Sequence, residues 1–496
     1  MKSHPPKWQS LPKSALQQAQ VEKLRRYLAR IVLPFSAHYG KLFREHGLRA
    51  DDIRSFADLR KIPFTQKEDL LDDPKQFVLV PDRKILARRF STIFTALTQG
   101  RDAVTQKFER EFRPLMLTST TGRSSDPIPF IYTQRDLEVL AIAGDRVMRV
   151  CGAKPEMRMI NMFPFAPHLA FWQTHYAGTE FGTFVLSTGG GKTLGTDGNL
   201  RMIKKLNPDV LIGMPTFVYH LLRAALQEGV KCPQLSKIVL GGEKVPNGMR
   251  RKLRALAFEL GAKTVDVLPT YGFTEAKMAW PQCPAGDAQS GYHLNPDLGI
   301  VEVINPETGE QVGEGEPGEI VWTPLAARGS VVLRYRTCDF IDGGLVHERC
   351  PHCGRNVPRL IGHISRSSEI REMRLDKLKG TLVDFNQLEH VLDNFEHIGT
   401  WQLEIRKAND DALDVDELIL HVQKVDNMPE EQLQTELNSR FVAETEIHPN
   451  KIQFHSEEEM RRLQGVGTQL KEQRVVDHRP QGGVAPQTND VAKSHA

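Results

Sequence analysis

Lys237-Ile-Val-Leu-Gly-Gly-Glu243 is followed by a helical stretch from Asn247 to Gly261, and then by Thr264-Val-Asp-Val-Leu-Pro-Thr-Tyr-Gly-Phe-Thr-Glu275. The first and last segments open with short β-branched and aliphatic runs, the pattern of strands buried on both faces. Between them, Met249, Leu253, Leu256 and Leu260 keep helical spacing. Asn247 is placed to cap that helix and Gly261 to end it. The alternation extends upstream. Phe184-Val-Leu186 and Asp209-Val-Leu-Ile212 read as strands. After Met214-Pro-Thr216, Thr216 is expected to cap a helix carrying Phe217, Leu221, Leu222 and Ala225, which Gly229 helps to stop. Strand–helix–strand repeats of this kind predict an α/β fold with parallel sheet and helices on its faces. In such sheets ligands bind at loops beyond the carboxyl ends of the strands.

Further out, residues 14–32 place Val21, Leu24, Leu28 and Ile31 on one helical face. Residues 84–114 carry Arg, Phe and Thr without a clean period and read as an inserted helix or flap. Ile300-Val-Glu-Val-Ile304, Gly318-Glu-Ile-Val-Trp322 and Val331-Val-Leu-Arg-Tyr335 predict a β-rich subdomain. Residues 366–479 read as a separate small α/β domain, with helices at 385–394 and 430–442 and strands near 401–406 and 417–423. The expected division is 1–365, 366–479 and a disordered tail at 480–496. Net charge is +3 over 496 residues, too mild to imply nucleic acid. No run approaches the roughly 18–20 apolar residues of a membrane span, and the first residues lack the apolar core of a secretory signal. A cytoplasmic protein with neither nucleic-acid nor membrane partners is expected, as monomer or homodimer. Disulfides among the six cysteines are then unexpected.

Three segments carry chemistry. The loop containing Thr118, Ser119, Thr120, Thr121, Gly122 and Arg123 offers hydroxyls, backbone N–H groups and a cation to phosphate oxygens. In Tyr271-Gly272-Phe273-Thr274-Glu275, the ring suits a nucleobase, Thr274 a phosphate, and Glu275 a Mg²⁺ ion. Asp339, ending Arg334-Tyr-Arg-Thr-Cys-Asp339, can accept from ribose hydroxyls, although a structural Arg–Asp pair is the plainer reading of that segment alone. Gly189-Gly-Gly-Lys-Thr193 imitates a Walker A ending, but Leu186 occupies the required first Gly position. Phe163, Phe165, His168, Phe171 and Trp172 are candidates to line an acyl pocket, against the commoner role of an aromatic cluster in a core.

Taken together, the segments resemble the adenylate-forming superfamily of acyl-CoA synthetases, most of all its phenylacetate–CoA ligase branch. The resemblance rests on Thr118-Ser-Thr-Thr-Gly-Arg-Ser124, Tyr271-Gly-Phe-Thr-Glu275, Arg334-Tyr-Arg-Thr-Cys-Asp339, Cys350-Pro-His-Cys-Gly-Arg355, Ser365-Arg-Ser-Ser-Glu369 and Leu470-Lys-Glu-Gln-Arg-Val-Val-Asp477. The N-terminal Ser55-Phe-Ala-Asp-Leu-Arg-Lys-Ile-Pro-Phe-Thr-Gln-Lys67 is typical of the branch as well, so the likeness spans residues 15–479. It implies a large N-terminal domain and a small mobile C-terminal one. It implies that Gly241, Gly242 and Glu243 lie along adenine, that Asp339 and Arg366 serve the nucleotide, and that Ser368 is the hinge. It assigns Lys471, Thr274 and Glu275 to catalysis. ATP, Mg²⁺, a small carboxylic acid and CoA are the implied reactants and cofactors. The competing readings are transfer of the acyl-adenylate to a carrier-protein thiol or an amine, and a non-catalytic binding protein on the same scaffold.

The sequence also departs from the branch. Arg123 replaces a Lys, Ser119, Cys338 and Ser365 stand where Gly is usual, Ser368 replaces an Asp, and residues 370–379 are about five longer than their counterpart, changes that bear on domain rotation and catalytic rate more than on the fold.

Cys350-Pro-His-Cys353 reads by its spacing as half of a structural Zn²⁺ site. Cys283 and His293 are chosen as the other half because the related branch has a Cys and a His in this region. His347, His352 and His363 are rival fourth ligands.

Overall fold

The computed structural model describes residues 7–120, 127–286, 288–366, 370–376, 379–408, 416–425, 428–445, 448–466 and 472–479. Thr121, Gly122, Arg123, Ser368, Lys471 and the tail 480–496 lie outside the described residues. The chain divides into two compact units, one of residues 1–369 with 466–471, the other of 370–465 with 472–496.

The first unit is organised by a six-stranded sheet. Its strands, in chain order, are Arg158–Asn161 (β1), Phe184–Ser187 (β2), Val210–Gly213 (β3), Lys237–Leu240 (β4), Asp266–Phe273 (β5) and Met278–Pro281 (β6). They lie in the order β2-β1-β3-β4-β5-β6, parallel through β5, with β6 antiparallel at the edge. β3 and β4 are buried along their whole length, as their apolar runs require. The helix Asn247–Glu259 buries Met249 and Leu253, and Gly261 follows at φ 97°, a conformation costly for any residue with a Cβ.

The N-caps differ from the sequence reading. The helix Pro215–Gln227 begins with Pro at its first position, so Met214 is the cap and Thr216 lies inside the helix. Proline's fixed φ and missing N–H suit that first position. The next helix begins at Asn247 itself, with Pro246 in extended backbone at the cap, so Asn247 is the first helical residue rather than the cap.

A second sheet, antiparallel, runs Gly299–Ile304 (β7), Gly318–Pro324 (β8), Tyr335–Ile341 (β9) and Ile364–Arg366 (β10) in that order. The strand expected over 331–335 instead begins at Tyr335, because Arg334 sits at φ 44° and breaks extended backbone before it. Trp280 and Trp322, from β6 and β8, stack edge-on at 5.3 Å and are almost fully buried. That contact joins the two sheets through one apolar core, which also receives Val21, Leu24 and Leu28 from the N-terminal helix Lys13–Tyr27 and its continuation. Residues 84–114 are helical: Arg83–Ala87, then Phe90–Phe112 with a kink at Gly100.

The second unit has its own core of Leu388, Trp401, Leu403, Leu420, Leu437 and Phe441. Its four strands lie in the order Lys451–His455, Asp416–Lys424, Ile398–Lys407, Val475–Asp477. Among the described residues no helix is long and apolar enough to cross a membrane.

Candidate active site and metal centre

β5 and β9 bring the two motif segments together. Tyr271, Gly272 and Phe273 are the last residues of β5 rather than a turn after it, and Thr274–Ala276 forms one 3-10 turn. Gly272 is required there, since a Cβ would lie 2.7 Å from the Cβ of Ala279 on β6. The Tyr271 hydroxyl donates to Asp339 Oδ2 at 2.8 Å. Arg366 Nε on β10 donates to Asp339 Oδ1 at 3.2 Å, its own side chain remaining well exposed. Asp339 is buried and lies within β9, so it stands on rigid sheet. Among the described residues it pairs with Arg366, while Arg334 and Arg336 of the motif pair with Glu302 and Glu319.

The Tyr335 hydroxyl donates to Glu275 Oε1 at 2.8 Å. Burial pushes the Glu275 carboxyl above the usual range, against the hydrogen bonds that favour its charged form. A half-buried carboxylate of this kind is stabilised by a cation, as a Mg²⁺ ligand would be. Sequence reasoning missed Tyr335, and it also missed Lys277. That Lys is buried at φ 57°, donates to the Ile131 carbonyl at 2.7 Å, pairs with Asp136 at 3.2 Å and faces the Tyr132 ring. It therefore fastens the Glu275 turn to the hairpin Pro114–Ser119/Pro129–Thr133, whose connection holds the proposed phosphate loop.

Of that loop, Thr118, Ser119 and Thr120 are described. The Thr118 hydroxyl donates to Tyr132 Oη at 3.2 Å, Ser119 N donates to the Pro167 carbonyl, and Thr120 exchanges hydrogen bonds with Ile128. These three groups fix the mouth of the hairpin. His168 Nδ1 lies 3.1 Å from the Ser119 carbonyl, so the ring donates there. Phe165, Phe171 and Trp172 pack against one another beside it, with Phe165 largely exposed. Gly241 ends β4 where a Cβ would meet Thr270 Oγ1 at 2.5 Å, and Gly242 turns at φ 84°. Glu243 accepts from the Thr216 hydroxyl at 3.0 Å and the Thr216 amide at 3.2 Å, so this carboxylate braces the turn.

Cys338 occupies φ 57°, which costs a residue with a Cβ about 1–2 kcal/mol. That explains why Gly is usual there, and Cys338 N offsets part of the strain by donating to Glu319 Oε1 at 3.1 Å.

Arg334 is structural. Its guanidinium makes a two-point pair with Glu302, at 3.1 and 3.0 Å, donates to the Ile62 carbonyl at 3.0 Å and lies 4.1 Å over the Phe64 ring. Both partners are buried. Arg334→Ala would leave Glu302 uncompensated and is expected to cost about 3–5 kcal/mol. Urea unfolding should report it, with the Arg334→Ala/Glu302→Ala pair losing less than the sum of the single changes.

Cys283, His293, Cys350 and Cys353 converge, with one ligand atom of each lying within 4.8 Å of all the others. Cys283 Sγ is 3.7 Å from Cys350 Sγ, and His293 Nε2 is 3.2 Å from Cys353 Sγ. A tetrahedron with Zn–S of about 2.3 Å has S···S edges of about 3.8 Å, so the thiol spacing fits a closed zinc site. His293 Nδ1 donates to the Gly291 carbonyl at 3.0 Å, which leaves Nε2 as the lone-pair nitrogen facing the sulfurs. The knuckle turns at Gly354, φ 70°, whose amide donates back to the Cys350 carbonyl. His347, His352 and His363 are not in this cluster.

Residues 124–330 match the family model described as AMP-binding enzyme. Two curated phenylacetate–coenzyme A ligases are similar to the chain: one from Thermus thermophilus, 26% identical over 84% of each chain, and one from Escherichia coli, 25% identical over 76% of each. These findings fit the adenylate-forming superfamily that the motifs resemble. A crystal structure of 2-hydroxyisobutyryl-CoA ligase in its postadenylation state superposes on this chain with a TM-score of 0.77, at 19% identity, over 96% of this chain and 94% of the other. That likeness concerns the fold, which is the α/β arrangement read from the sequence.

Proposed function

We propose that the chain is an AMP-forming acid–CoA ligase that activates a carboxylic acid with ATP and transfers the acyl group to CoA. The observation that carries this reading is the pairing of Asp339 with Tyr271 and Arg366 beside the half-buried Glu275. Two acidic groups suited to separate tasks stand here, Glu275 in the 3-10 turn that follows β5 and Asp339 within β9. Asp339 is suited to exchange its Tyr271 and Arg366 hydrogen bonds for ribose hydroxyls. Glu275 is suited to hold Mg²⁺, which would supply charge neutralisation at the phosphates. The similarity to phenylacetate–coenzyme A ligases supports an aryl or arylacetic acid, and the Phe165–Phe171–Trp172 cluster beside His168 is suited to an aromatic acyl group.

In the first half-reaction a carboxylate oxygen attacks the α-phosphorus of ATP and pyrophosphate leaves. Donors from Thr118 to Arg123 and the Lys471 ammonium would offset the charge that builds on the phosphorus oxygens. In the second, the CoA sulfur attacks the acyl carbon and AMP departs. Rotation at Ser368 would exchange Lys471 for the thiol path between the two steps.

Pyrophosphate release measured over aryl, arylacetic and aliphatic acids tests the first step, and thioester formation on adding CoA tests the second. Release with an arylacetic acid, and CoA thioester as product, is the expected result. Asp339→Ala is expected to weaken ATP and AMP alike, by about 1–3 kcal/mol each, because both carry the ribose. Release without CoA thioester would move the acceptor to a carrier-protein thiol or an amine; no release with any acid would leave a non-catalytic scaffold.

A further inference from the structure

The helix that begins at Phe90 is turned inside out. Up to the Gly100 kink it keeps Phe90, Ile93, Phe94 and Leu97 on one face, at i, i+3, i+4 and i+7. Those residues are 82%, 45%, 57% and 81% exposed, while Thr92 on the opposite face is buried against the body of the unit. Phe90 and Phe94 stack on each other at 6.4 Å. An amphipathic helix ordinarily buries its apolar face, and a contiguous apolar stripe in water marks an interaction surface.

What surrounds the stripe is positive. Residues 83–97 contain Arg83, Lys84, Arg88 and Arg89 and no Asp or Glu. Arg83, Lys84 and Arg88 are exposed. A cleft of about 640 Å³ opens beside Phe90, lined by Lys23, Arg26, Arg30, Arg89 and Arg328 among others. Arg328 is paired with Glu111, but among the described residues Lys23, Arg26, Arg30 and Arg89 have no ion-pair partner within 4.0 Å. Arg89 is held by the Arg30 carbonyl and lies 5.0 Å over the Phe35 ring, so its charge is fixed at the cleft mouth. Burial and then the neighbouring Arg30 and Arg328 push its pKa down, as expected where positive charge is concentrated and unneutralised.

We propose that this face adsorbs to an anionic phospholipid surface. Phe90, Phe94 and Leu97 would enter the boundary between headgroups and acyl chains, and Arg26, Arg30, Arg83, Lys84 and Arg88 would meet the lipid phosphates. A basic segment with large apolar side chains on one exposed face is the chemistry of interfacial helices, and each Lys or Arg near an anionic leaflet adds to the attraction. A second copy of the chain fits less well. A two-fold axis sets a patch against itself, and residues 83–97 bring cations but no carboxylate to meet them. The sequence-based expectation of no membrane partner rested on the lack of a spanning segment, and adsorption needs none.

The test is co-sedimentation of the full chain with phosphatidylcholine vesicles, with and without phosphatidylglycerol. Binding is expected only with phosphatidylglycerol and should fall steeply as salt is raised. Phe90→Ser/Leu97→Ser and Arg26→Gln/Arg30→Gln should each lower the partition coefficient by roughly tenfold or more. All four positions are on the surface and outside the active site, so thermal melting and pyrophosphate release should stay at wild-type levels. Failure to bind phosphatidylglycerol vesicles, or equal binding to neutral ones, would overturn the proposal. So would light scattering that finds a dimer dissociated by Leu97→Ser, which would give the face to a second copy.

Discussion

Lys471→Ala is expected to slow acyl-adenylate formation by about 10²–10³-fold, roughly 3–4 kcal/mol of transition-state stabilisation. The assignment comes from the resemblance of Leu470-Lys-Glu-Gln-Arg-Val-Val-Asp477 to the superfamily's C-terminal motif, since Lys471 itself lies outside the described residues. The rest of that motif is anchored. Arg474 pairs with Asp393 at 2.9 Å and lies 4.9 Å over the Trp401 ring. Val475–Asp477 adds a parallel strand beside Ile398–Lys407. The motif thus divides into a structural half, which docks into the second unit, and a cation three residues earlier. Charge acting on the α-phosphate is needed only while pyrophosphate leaves. Thioester formation from supplied acyl-adenylate should therefore proceed in Lys471→Ala at close to the wild-type rate. Arg474→Ala should behave differently, lowering the stability of the second unit by unpairing the buried Asp393. Pyrophosphate exchange and single-turnover thioester assays separate the two, and equal loss in both half-reactions of Lys471→Ala would remove the catalytic role.

The parallel sheet was readable because β3 and β4 are continuous apolar runs between helical periods, and nothing competes with that pattern. Strand limits were less readable where a single backbone angle decides them. Nothing in Val331-Val-Leu-Arg-Tyr335 announces the positive φ of Arg334, which follows from its buried attachment to Glu302 and Ile62. The motif residues were legible individually, but their partners were not. Tyr335 reaches Glu275 across 60 positions, Asp339 reaches Tyr271 across 68, and Lys277 reaches Ile131 across 146. Such pairings depend on how two sheets pack, and local spacing holds no record of that. The helix after Phe90 was left open between helix and flap for a different reason. Its apolar positions have a regular period up to Gly100, but the kink there resets the phase, so the whole of 84–114 looks aperiodic.

Loss of metal is the second large effect expected, because the four ligands would cross-link three separate stretches of chain through one ion. Cys283 follows the edge strand β6, His293 lies in the short strand Tyr292–His293, and Cys350 and Cys353 sit in a knuckle between Leu345–Val346 and Arg359–Leu360. The local core consists of Val150 and the cysteines themselves. Without a cation, three thiols and an imidazole would be packed in an apolar pocket with little to stabilise them. A Zn²⁺ ion reverses that by binding all three as thiolates. The purified protein is expected to carry about one zinc per chain, and Cys350→Ser is expected to lose it together with more than about 4 kcal/mol of stability. A buried Cys→Ser change in a metal-free core would also destabilise, by about 1–3 kcal/mol, so melting alone does not discriminate. Chelation does. A strong chelator should lower the melting temperature of the wild type towards that of Cys350→Ser and leave the variant unmoved, whereas a wild type that is metal-free and indifferent to chelator would show the cluster to be four packed side chains and no more.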